Sequence, residues 1–439
     1  MNLDTLIAIL TLLVIVNYRF RRSVLYPPVL FCGMWLFVTV ILRLDLVDMY
    51  PLHTITIGYI AAGATLFSAG GWIAFLVPRS SIAARFRLFP TRTERAPDRR
   101  RSKSLAKWKD LLVVVLLLAA LGIQLHLVIN LASQGSGGGL LASSESAEVE
   151  YENNGTAPLL LSLDIPLLTA YFAILFCQDR KGRMAWVVAS IVLVICILRG
   201  SRGAILILVT SLTCIHLIDK KQERIITALK AARWAIILFI VLFGGLMVVK
   251  KGASRSEASM ISFATIAIVQ YLVGPLGGLD SVLMHPHDYI GLPNHTFKLF
   301  LKTASGLGLI SYTPPPALGD WVFVPFGTNV STLYKPFITD FGIYIALVVV
   351  AFIAFTQTLI YRRAKIGSRL DRYMFALTIY PLLMVTFDDV YTAFLYYIKG
   401  FIVCLLYITV RRIRLMPSAS KAEHHLGRSD GPKDSWCER

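Results

Sequence analysis

Two arginines separated by two small residues, Arg199 and Arg202, are the residues whose spacing most clearly suggests chemistry. They connect two apolar segments, residues 184–198 and 204–218, each about fifteen residues long and therefore short for a membrane-spanning helix. Short, glycine-interrupted segments occur where membrane proteins form binding sites within the bilayer. A guanidinium at membrane depth costs roughly 2.5–3.5 kcal/mol, so the pair indicates a functional site. The alternative is that both side chains extend to the outer headgroups.

The residues around these arginines suit the binding of an anion. Ser201 can cap the helix that is predicted to begin at Ala204, and Gly200 and Gly203 allow an anion to approach the backbone closely. A helix N-terminus offers free N–H donors and the positive end of the helix dipole. Arginine can bind phosphate through two parallel hydrogen bonds. The pattern therefore predicts a phosphate site to which Ser201 and Gly203 also contribute.

Further polar residues could complete such a site. Arg255 follows an apolar segment and could provide a second anion contact, or it could simply complement a helix dipole. Asp340 and Asp389 lie at predicted helix ends, where partial burial would suit a carboxylate to proton transfer and where ordinary solvation is the alternative. His287 could act as a base. The histidine-rich stretch around it matches no recognised zinc spacing, so we expect neither a metal nor another cofactor.

The remainder of the chain predicts how these residues are positioned. Of the 439 residues, 56% are hydrophobic and 16% are charged, whereas soluble domains contain about 25% charged residues. Many apolar runs are long enough to cross a bilayer, and backbone groups in lipid must be satisfied within helices. We therefore predict an all-α polytopic integral membrane protein with about eleven transmembrane helices, near residues 3–17, 25–42, 53–77, 110–132, 158–177, 184–198, 204–218, 232–249, 336–360, 372–388 and 394–410.

Basic residues concentrate in alternate connections between these helices. The net charge of +18 is divided among separate clusters, at residues 19–22, 79–107, 180–183, 220–233, 362–372 and 411–414. Such a division does not fit a nucleic-acid surface. By the positive-inside rule, this distribution predicts that the N-terminus lies outside the cytoplasmic membrane and that the C-terminus lies in the cytoplasm.

The predicted helices divide the chain into four segments. These are an N-terminal transmembrane bundle at 1–249 with an arginine turn at 199–203, a large outer loop at 250–335, C-terminal transmembrane helices at 336–416, and a disordered cytoplasmic tail at 417–439. The acidic outer loop at 133–157 is a solvated linker or a mobile flap. The apolar stretch at 260–283 could itself cross the membrane. We expect instead that the outer loop at 250–335 contains amphipathic or re-entrant helices that rest on the membrane surface.

Three segments resemble those of bacterial oligosaccharide repeat-unit polymerases, the Wzy-type O-antigen polymerases. Leu198–Ala204 resembles the arginine-containing turn of that family, and Tyr271–Gly278 resembles part of its outer loop. Gly327–Gly342 resembles the polar outer segment that leads into a helix through Asp-Phe-Gly. The overall layout is also similar, with many spans and one long outer loop late in the chain.

This resemblance implies a GT-C-like glycosyltransferase at the periplasmic face of the bacterial inner membrane. Such enzymes join undecaprenyl-pyrophosphate-linked repeat units, as donor and acceptor, into O-antigen or exopolysaccharide chains without a nucleotide sugar. A membrane protein that regulates chain length is a further partner to be expected. The implied catalytic residues are Arg199, Arg202 and Arg255, which would stabilise the leaving pyrophosphate, and one of Asp340, Asp389 and His287, which would activate the acceptor. The implied substrate-binding residues are Ser201, Gly203, Tyr271, Asn329, Tyr334 and Lys335.

Two other functions fit the same pattern. An O-antigen ligase would use the same lipid-linked donor with a lipid A-core acceptor. A transporter or flippase for an anionic or lipid-linked solute would also place arginines and helix ends at membrane depth. Transporters usually contain paired halves, which this sequence does not show.

Overall fold

The described part of the chain is helical. The computed structural model describes residues 1–78, 102–134, 164–180, 182–199, 201–219, 257–285, 293–313, 322–329, 332–387 and 390–413, together with Ile226, Lys230 and Arg233. Within these ranges lie twelve α-helices and one hairpin of two short strands, which confirms the mostly helical prediction. The predicted helix at 232–249, the tail at 417–439 and nearly all of the loop at 133–157 lie outside the described residues.

The helices are numbered in chain order. They are α1 (Leu3–Arg21), α2 (Pro27–Arg43), α3 (Thr54–Ile73), α4 (Ser102–Gln134), α5 (Ile165–Asp179), α6 (Arg183–Leu198), α7 (Arg202–Asp219), α8 (Glu257–Met284), α9 (Lys298–Gly306), α10 (Tyr334–Ile366), α11 (Arg369–Leu383) and α12 (Phe394–Ile413). The hairpin strands β1 (Val322–Phe323) and β2 (Gly327–Thr328) pair antiparallel, with Val322 opposite Thr328.

Five segments among the described residues are long and apolar enough to cross a membrane. They are Leu3–Arg21, Thr54–Leu76, Leu111–Asn130, Arg202–Asp219 and Tyr334–Ile366. The chain therefore has the helix content and the apolar helices of an all-α membrane protein, and the total of about eleven spans stays a prediction.

Two of the helices that differ from their predicted extents bear on the candidate site regions. Helix α7 begins at Arg202, earlier than predicted, and has 18 residues, so it is longer than the predicted segment and long enough to cross a membrane. At 1.5 Å per residue it is about 27 Å long. Helix α10 has 33 residues and contains a break at Gly342, whose φ of 81° lies in the left-handed region that glycine adopts readily. A short helical segment, residues 334–341, therefore precedes the long apolar one.

Local sequence explains several helix starts. The Asn2 side chain accepts a hydrogen bond from the Thr5 N–H at 2.9 Å and caps α1. Two prolines begin α2. Proline lacks a backbone N–H, and this costs no helical hydrogen bond in the first turn, where N–H groups have no acceptor within the helix. Ser368 and Asp371 form a reciprocal capping box at the start of α11.

The helices pack in two groups that meet at α10 and α11. In the first group α1 packs on α2 and α3, and these two pack on α10. In the second group α4 to α7 pack on one another, α5 and α7 contact α11, and α5 contacts α12. The α3–α10 contact is the most extensive among the described helices. Two glycines of α3 allow the backbones of α3 and α10 to approach each other closely. A Cβ at Gly70 would lie 2.2 Å from the Ala351 carbonyl oxygen, and one at Gly63 would lie 1.9 Å from the Tyr334 hydroxyl.

Ion pairs among the described residues lie at the two ends of the helices. Each joins residues that the predicted topology places on the same side of the membrane. The pairs on the predicted outer side are Asp4–Arg43, His53–Asp280 and Asp164–Lys399, at 2.8, 2.7 and 3.2 Å. Those on the predicted inner side are Asp179–Arg369 at 2.7 Å, Asp219–Arg372 and Arg363–Asp371.

The C-terminal half of α8 lies across the end of the bundle where α3 begins. Asp280 accepts hydrogen bonds from the His53 N–H at 2.9 Å and the Thr56 hydroxyl at 2.5 Å, both at the start of α3. At the other end of this half, the Tyr271 ring stacks on the ring of Phe387, which follows α11. The two ring centroids are 6.4 Å apart. Residues 271–280 therefore bridge the start of α3 and the segment that follows α11.

We predict that Gly70→Ala destabilises the protein. The added methyl group would collide with the α10 backbone, which cannot rotate away, and overpacking of this kind costs about 1–3 kcal/mol. The measurement is the free energy of unfolding in detergent micelles. Gly58→Ala is the matched control on the same helix, because a Cβ there meets nothing within 4 Å. Equal stability of the two variants would contradict the proposed close packing.

Candidate functional site

The arginine turn connects α6 to α7 through three residues. Arg199 ends α6 in a helical conformation, with φ of −83° and ψ of −10°. The Ser201 N–H then donates to the Cys196 carbonyl at 3.0 Å, and the Ser201 carbonyl accepts from the Ile205 N–H at 3.2 Å. Helix α7 begins at Arg202, two residues before the predicted start at Ala204. Ser201, the residue before it, therefore occupies the N-cap position.

The polar groups of this turn are only partly exposed. Arg199, Ser201, Arg202 and Gly203 are all half-buried, and the Nη2 atom of Arg199 has no appreciable solvent-accessible surface. Two guanidinium groups therefore lie beside the first turn of an 18-residue helix, whose N–H groups carry partial positive charge. This arrangement concentrates positive potential at one end of the helices and can bind a phosphate group.

A tyrosine from α11 lies against the same turn. A Cβ at Gly203 would lie 3.2 Å from the Tyr380 hydroxyl oxygen, so the glycine lets this hydroxyl approach the first turn of α7. The Tyr380 ring packs on Tyr396 of α12 with centroids 5.8 Å apart. The Tyr396 carbonyl in turn accepts a hydrogen bond from the Tyr171 hydroxyl at 3.0 Å. Sequence reasoning missed Tyr380 because no local pattern relates it to a turn so far away in the chain.

A carboxylate and an amine lie at the start of α5, next to the end of α6. The Cys196 thiol lies 3.8 Å from the Pro166 carbonyl oxygen, which places the start of α5 against the end of α6. Asp164, immediately before α5, pairs there with Lys399 of α12 at 3.2 Å. The site region thus draws residues from α5, α6, α7, α11 and α12.

Asp340 lies at a second location, the start of α10. It is 7% exposed, and its two carboxylate oxygens accept hydrogen bonds from the His295 N–H at 3.2 Å and the Thr296 N–H at 2.5 Å. The nearby Tyr312 hydroxyl donates to the Asn294 carbonyl at 3.1 Å, and burial together with the Asp340 charge raises the pKa of Tyr312. In this structure Asp340 attaches the segment 293–297 to α10.

Two of the three segments that resemble the polymerase family pack on each other. Gly274 and Gly277 of α8 face the β1–β2 hairpin: a Cβ at Gly274 would lie 3.2 Å from the Thr328 hydroxyl oxygen, and one at Gly277 would lie 2.6 Å from Val324, just before the second segment. The glycines of Tyr271–Gly278 thus have a packing role. Tyr271 and Asn329 are both half-buried beside this contact.

Tyr334 occupies the helical core. It is completely buried, with its ring centroid 5.5 Å from Trp35 and 5.1 Å from Tyr59. A residue in that position can shape the bundle but has no surface for a substrate. The neighbouring Lys335 is half-buried and retains access to solvent.

Three predicted site residues, Arg255, His287 and Asp389, lie outside the described part of the chain. Within the described part, no group of three or more His, Cys, Asp or Glu side chains could hold a metal ion. The arginine turn and the Asp340 region are separate features. The turn packs against the start of α5 and against Tyr380, whereas the Asp340 carboxylate binds the backbone of residues 295 and 296.

Comparison of the chain with protein-family models, with curated proteins and with solved structures gives no match. The resemblance to repeat-unit polymerases therefore rests on the short segments quoted above and on the helical layout.

We predict that Asp340 acts as an anchor. Asp340→Ala removes the carboxylate that accepts from the buried Thr296 N–H and the partly buried His295 N–H, at a cost of about 1–3 kcal/mol. Hydrogen–deuterium exchange of the peptide containing His295 and Thr296 should then accelerate by roughly tenfold or more, since about 1.4 kcal/mol corresponds to tenfold. Asp340→Asn keeps an acceptor oxygen and should show a smaller change. Loss of activity in Asp340→Asn with unchanged exchange would instead assign this carboxylate to proton transfer.

Proposed function

We propose that this protein is a metal-independent glycosyltransferase that joins undecaprenyl-pyrophosphate-linked repeat units into a polysaccharide at the outer face of the bacterial cytoplasmic membrane. The observation that carries the proposal is the half-buried pair Arg199 and Arg202 at the N-terminus of α7. Transfer of a glycan from this lipid releases a pyrophosphate, whose negative charge must be stabilised as it develops.

The arginine turn supplies the groups that such a leaving group requires. Arginine stays protonated at all relevant pH values and binds phosphate oxygens through parallel hydrogen bonds. The first N–H groups of α7 add donors that need no reorganisation during the reaction. Because the turn connects two apolar helices, a polyprenyl chain in the surrounding lipid could present its pyrophosphate to it directly.

The acceptor would approach from the side of Tyr380. The Tyr380 hydroxyl lies next to Gly203 and can donate a hydrogen bond to a phosphate or sugar oxygen. Asp389 and His287 are the proposed candidates for activating the acceptor hydroxyl. Asp340 is a weaker one, since both of its oxygens are engaged by backbone N–H groups.

The charge distribution supports the proposed sidedness of the site. Asp164 pairs with Lys399 beside the end of α6, and the predicted topology puts this pair on the same side as the Asp4–Arg43 and His53–Asp280 pairs. The positive-inside rule places that end outside the cytoplasm. An outer active site agrees with a donor that is assembled inside and used after it has crossed the membrane.

Analysis of lipid-linked saccharides in a strain that lacks this protein tests the proposal. We expect accumulated single repeat units and loss of long chains, because assembly of the unit precedes polymerisation. Full-length chains retained on the lipid carrier would indicate a ligase. An unchanged set of lipid-linked and surface glycans would contradict both enzymes and favour a transporter of another anionic solute.

Substitution of Arg202 tests the role of the turn. We expect Arg202→Ala to lower polymer formation by about 10²-fold or more, the effect of removing one donor that stabilises a developing anion. Arg202→Lys should restore only part of the activity, because an ammonium group cannot form the paired hydrogen bonds. Polymer length and yield are measured by gel electrophoresis, with membrane levels of each variant determined in parallel.

Arg43→Ala is the matched control for this experiment. Arg43 is an exposed arginine on the same predicted side and pairs with Asp4, and exposed ion pairs contribute little to stability. Its variant should retain normal polymer. Normal long chains from Arg202→Ala would remove the arginine turn from the mechanism.

A further inference from the structure

Helix α9 and the turn that follows it, residues 298–310, form a small element at the end of the bundle where α10 and α12 begin. Phe297, just before α9, packs against Phe341 of α10 with ring centroids 6.4 Å apart. Phe300 packs edge-on against Phe394, the first residue of α12, and the two ring centroids are 5.2 Å apart. The 298–310 element is thereby attached to two helix ends.

A specific hydrogen-bonded turn ends this helix. The Leu309 N–H donates to the Ala304 carbonyl at 3.0 Å, the Gly308 N–H donates to the Ser305 carbonyl at 2.9 Å, and Gly308 has a φ of 72°. These are the paired bonds and the left-handed glycine of a Schellman motif. The backbone that holds residues 307–310 is therefore fixed by its own hydrogen bonds.

The turn exposes two apolar side chains, since Leu307 and Leu309 are 71% and 73% exposed. Phe300 of α9, which contacts Phe394 with one edge, is also 54% exposed. In a Schellman motif the residue at the position of Leu309 commonly packs back onto the helix, but here it points outward. Exposed apolar side chains on a fixed backbone are typical of a surface that contacts a membrane or another protein.

Two lysines lie on one side of α9. Lys298 and Lys302 are four residues apart and so share one face of the helix, with Phe300 on the opposite face. Burial and the neighbouring charge of Lys302 lower the pKa of Lys298. A negatively charged group next to the pair would relieve this repulsion.

We propose that the 298–310 element is a membrane-interface anchor, which inserts Leu307 and Leu309 into the outer leaflet while Lys298 and Lys302 contact anionic lipid headgroups. Amphipathic segments with apolar and lysine faces bind bilayer surfaces in this way. The inference is independent of the proposed enzymatic activity, because it concerns only how this part of the chain meets the bilayer.

The bilayer is the occupant because the anchor continues a lipid-facing surface. Tyr344, Val348 and Phe352 follow at four-residue intervals on α10 and are 84%, 66% and 63% exposed, which defines one apolar stripe of a helix that is long enough to span. This stripe begins on the far side of the Gly342 break from Phe341, the residue that Phe297 contacts. The anchor thus lies where the apolar stripe reaches the membrane surface.

Fluorescence quenching in lipid nanodiscs tests the proposal. The reactive native cysteines are first replaced, and a bimane label is attached to Leu309→Cys in that background. The quencher is a phospholipid with a nitroxide on its acyl chain. Val348→Cys is the lipid-facing reference and Thr54→Cys, an exposed polar position on the same predicted side, is the aqueous one. We expect quenching at position 309 at least twice that at position 54, and enhanced by phosphatidylglycerol.

The lysines are tested by a paired substitution. Lys298→Gln with Lys302→Gln should abolish the enhancement by phosphatidylglycerol and keep the quenching in neutral lipid, whereas Lys298→Arg with Lys302→Arg should retain both. Quenching at position 309 no greater than at position 54 would overturn the proposal. If the label were then also shielded from aqueous iodide, a protein surface such as a second copy would be the occupant instead.

Discussion

The close approach of α3 and α10 is the constraint on which the described structure depends. Lipid is as apolar as leucine, so helices in a membrane associate through tight packing of small residues more than through hydrophobic burial. Gly63 and Gly70 lie two turns apart on α3 and leave room for the Tyr334 hydroxyl and the α10 backbone. Tyr334 then fills the space between α2, α3 and α10 against Trp35 and Tyr59.

This packing fixes the end of α10 to which the outer segment attaches. The break at Gly342 separates the segment 334–340, which is buried except for Lys335, from the apolar span, and the Tyr59 hydroxyl donates to the Ile343 carbonyl at 2.8 Å beside it. This hydroxyl gives a backbone carbonyl next to the break a hydrogen-bond donor. Asp340 then holds segment 293–297 on one side of α10, while α8 and the hairpin pack together through the glycines at 274 and 277.

The arginine turn belongs to the other helix group, and α11 connects the two. The Ser211 hydroxyl of α7 donates to the Ala376 carbonyl of α11 at 3.1 Å, and Tyr380 of α11 reaches the first turn of α7. Helix α11 also packs against α10. The position of the arginines is thus set by the same bundle that supports the outer segment, although the two features are far apart in sequence.

The sequence by itself determined the helical membrane class, the approximate extents of ten described helices and the location of the arginine turn, because hydropathy, charge sorting and helix signals are local properties. It also predicted Ser201 as a cap. Only the tertiary structure decided that Tyr334 is core, that Asp340 accepts backbone hydrogen bonds, and that Tyr380 lies beside Gly203. Each of these depends on which helices are neighbours, and non-local contacts leave no periodic trace in the chain.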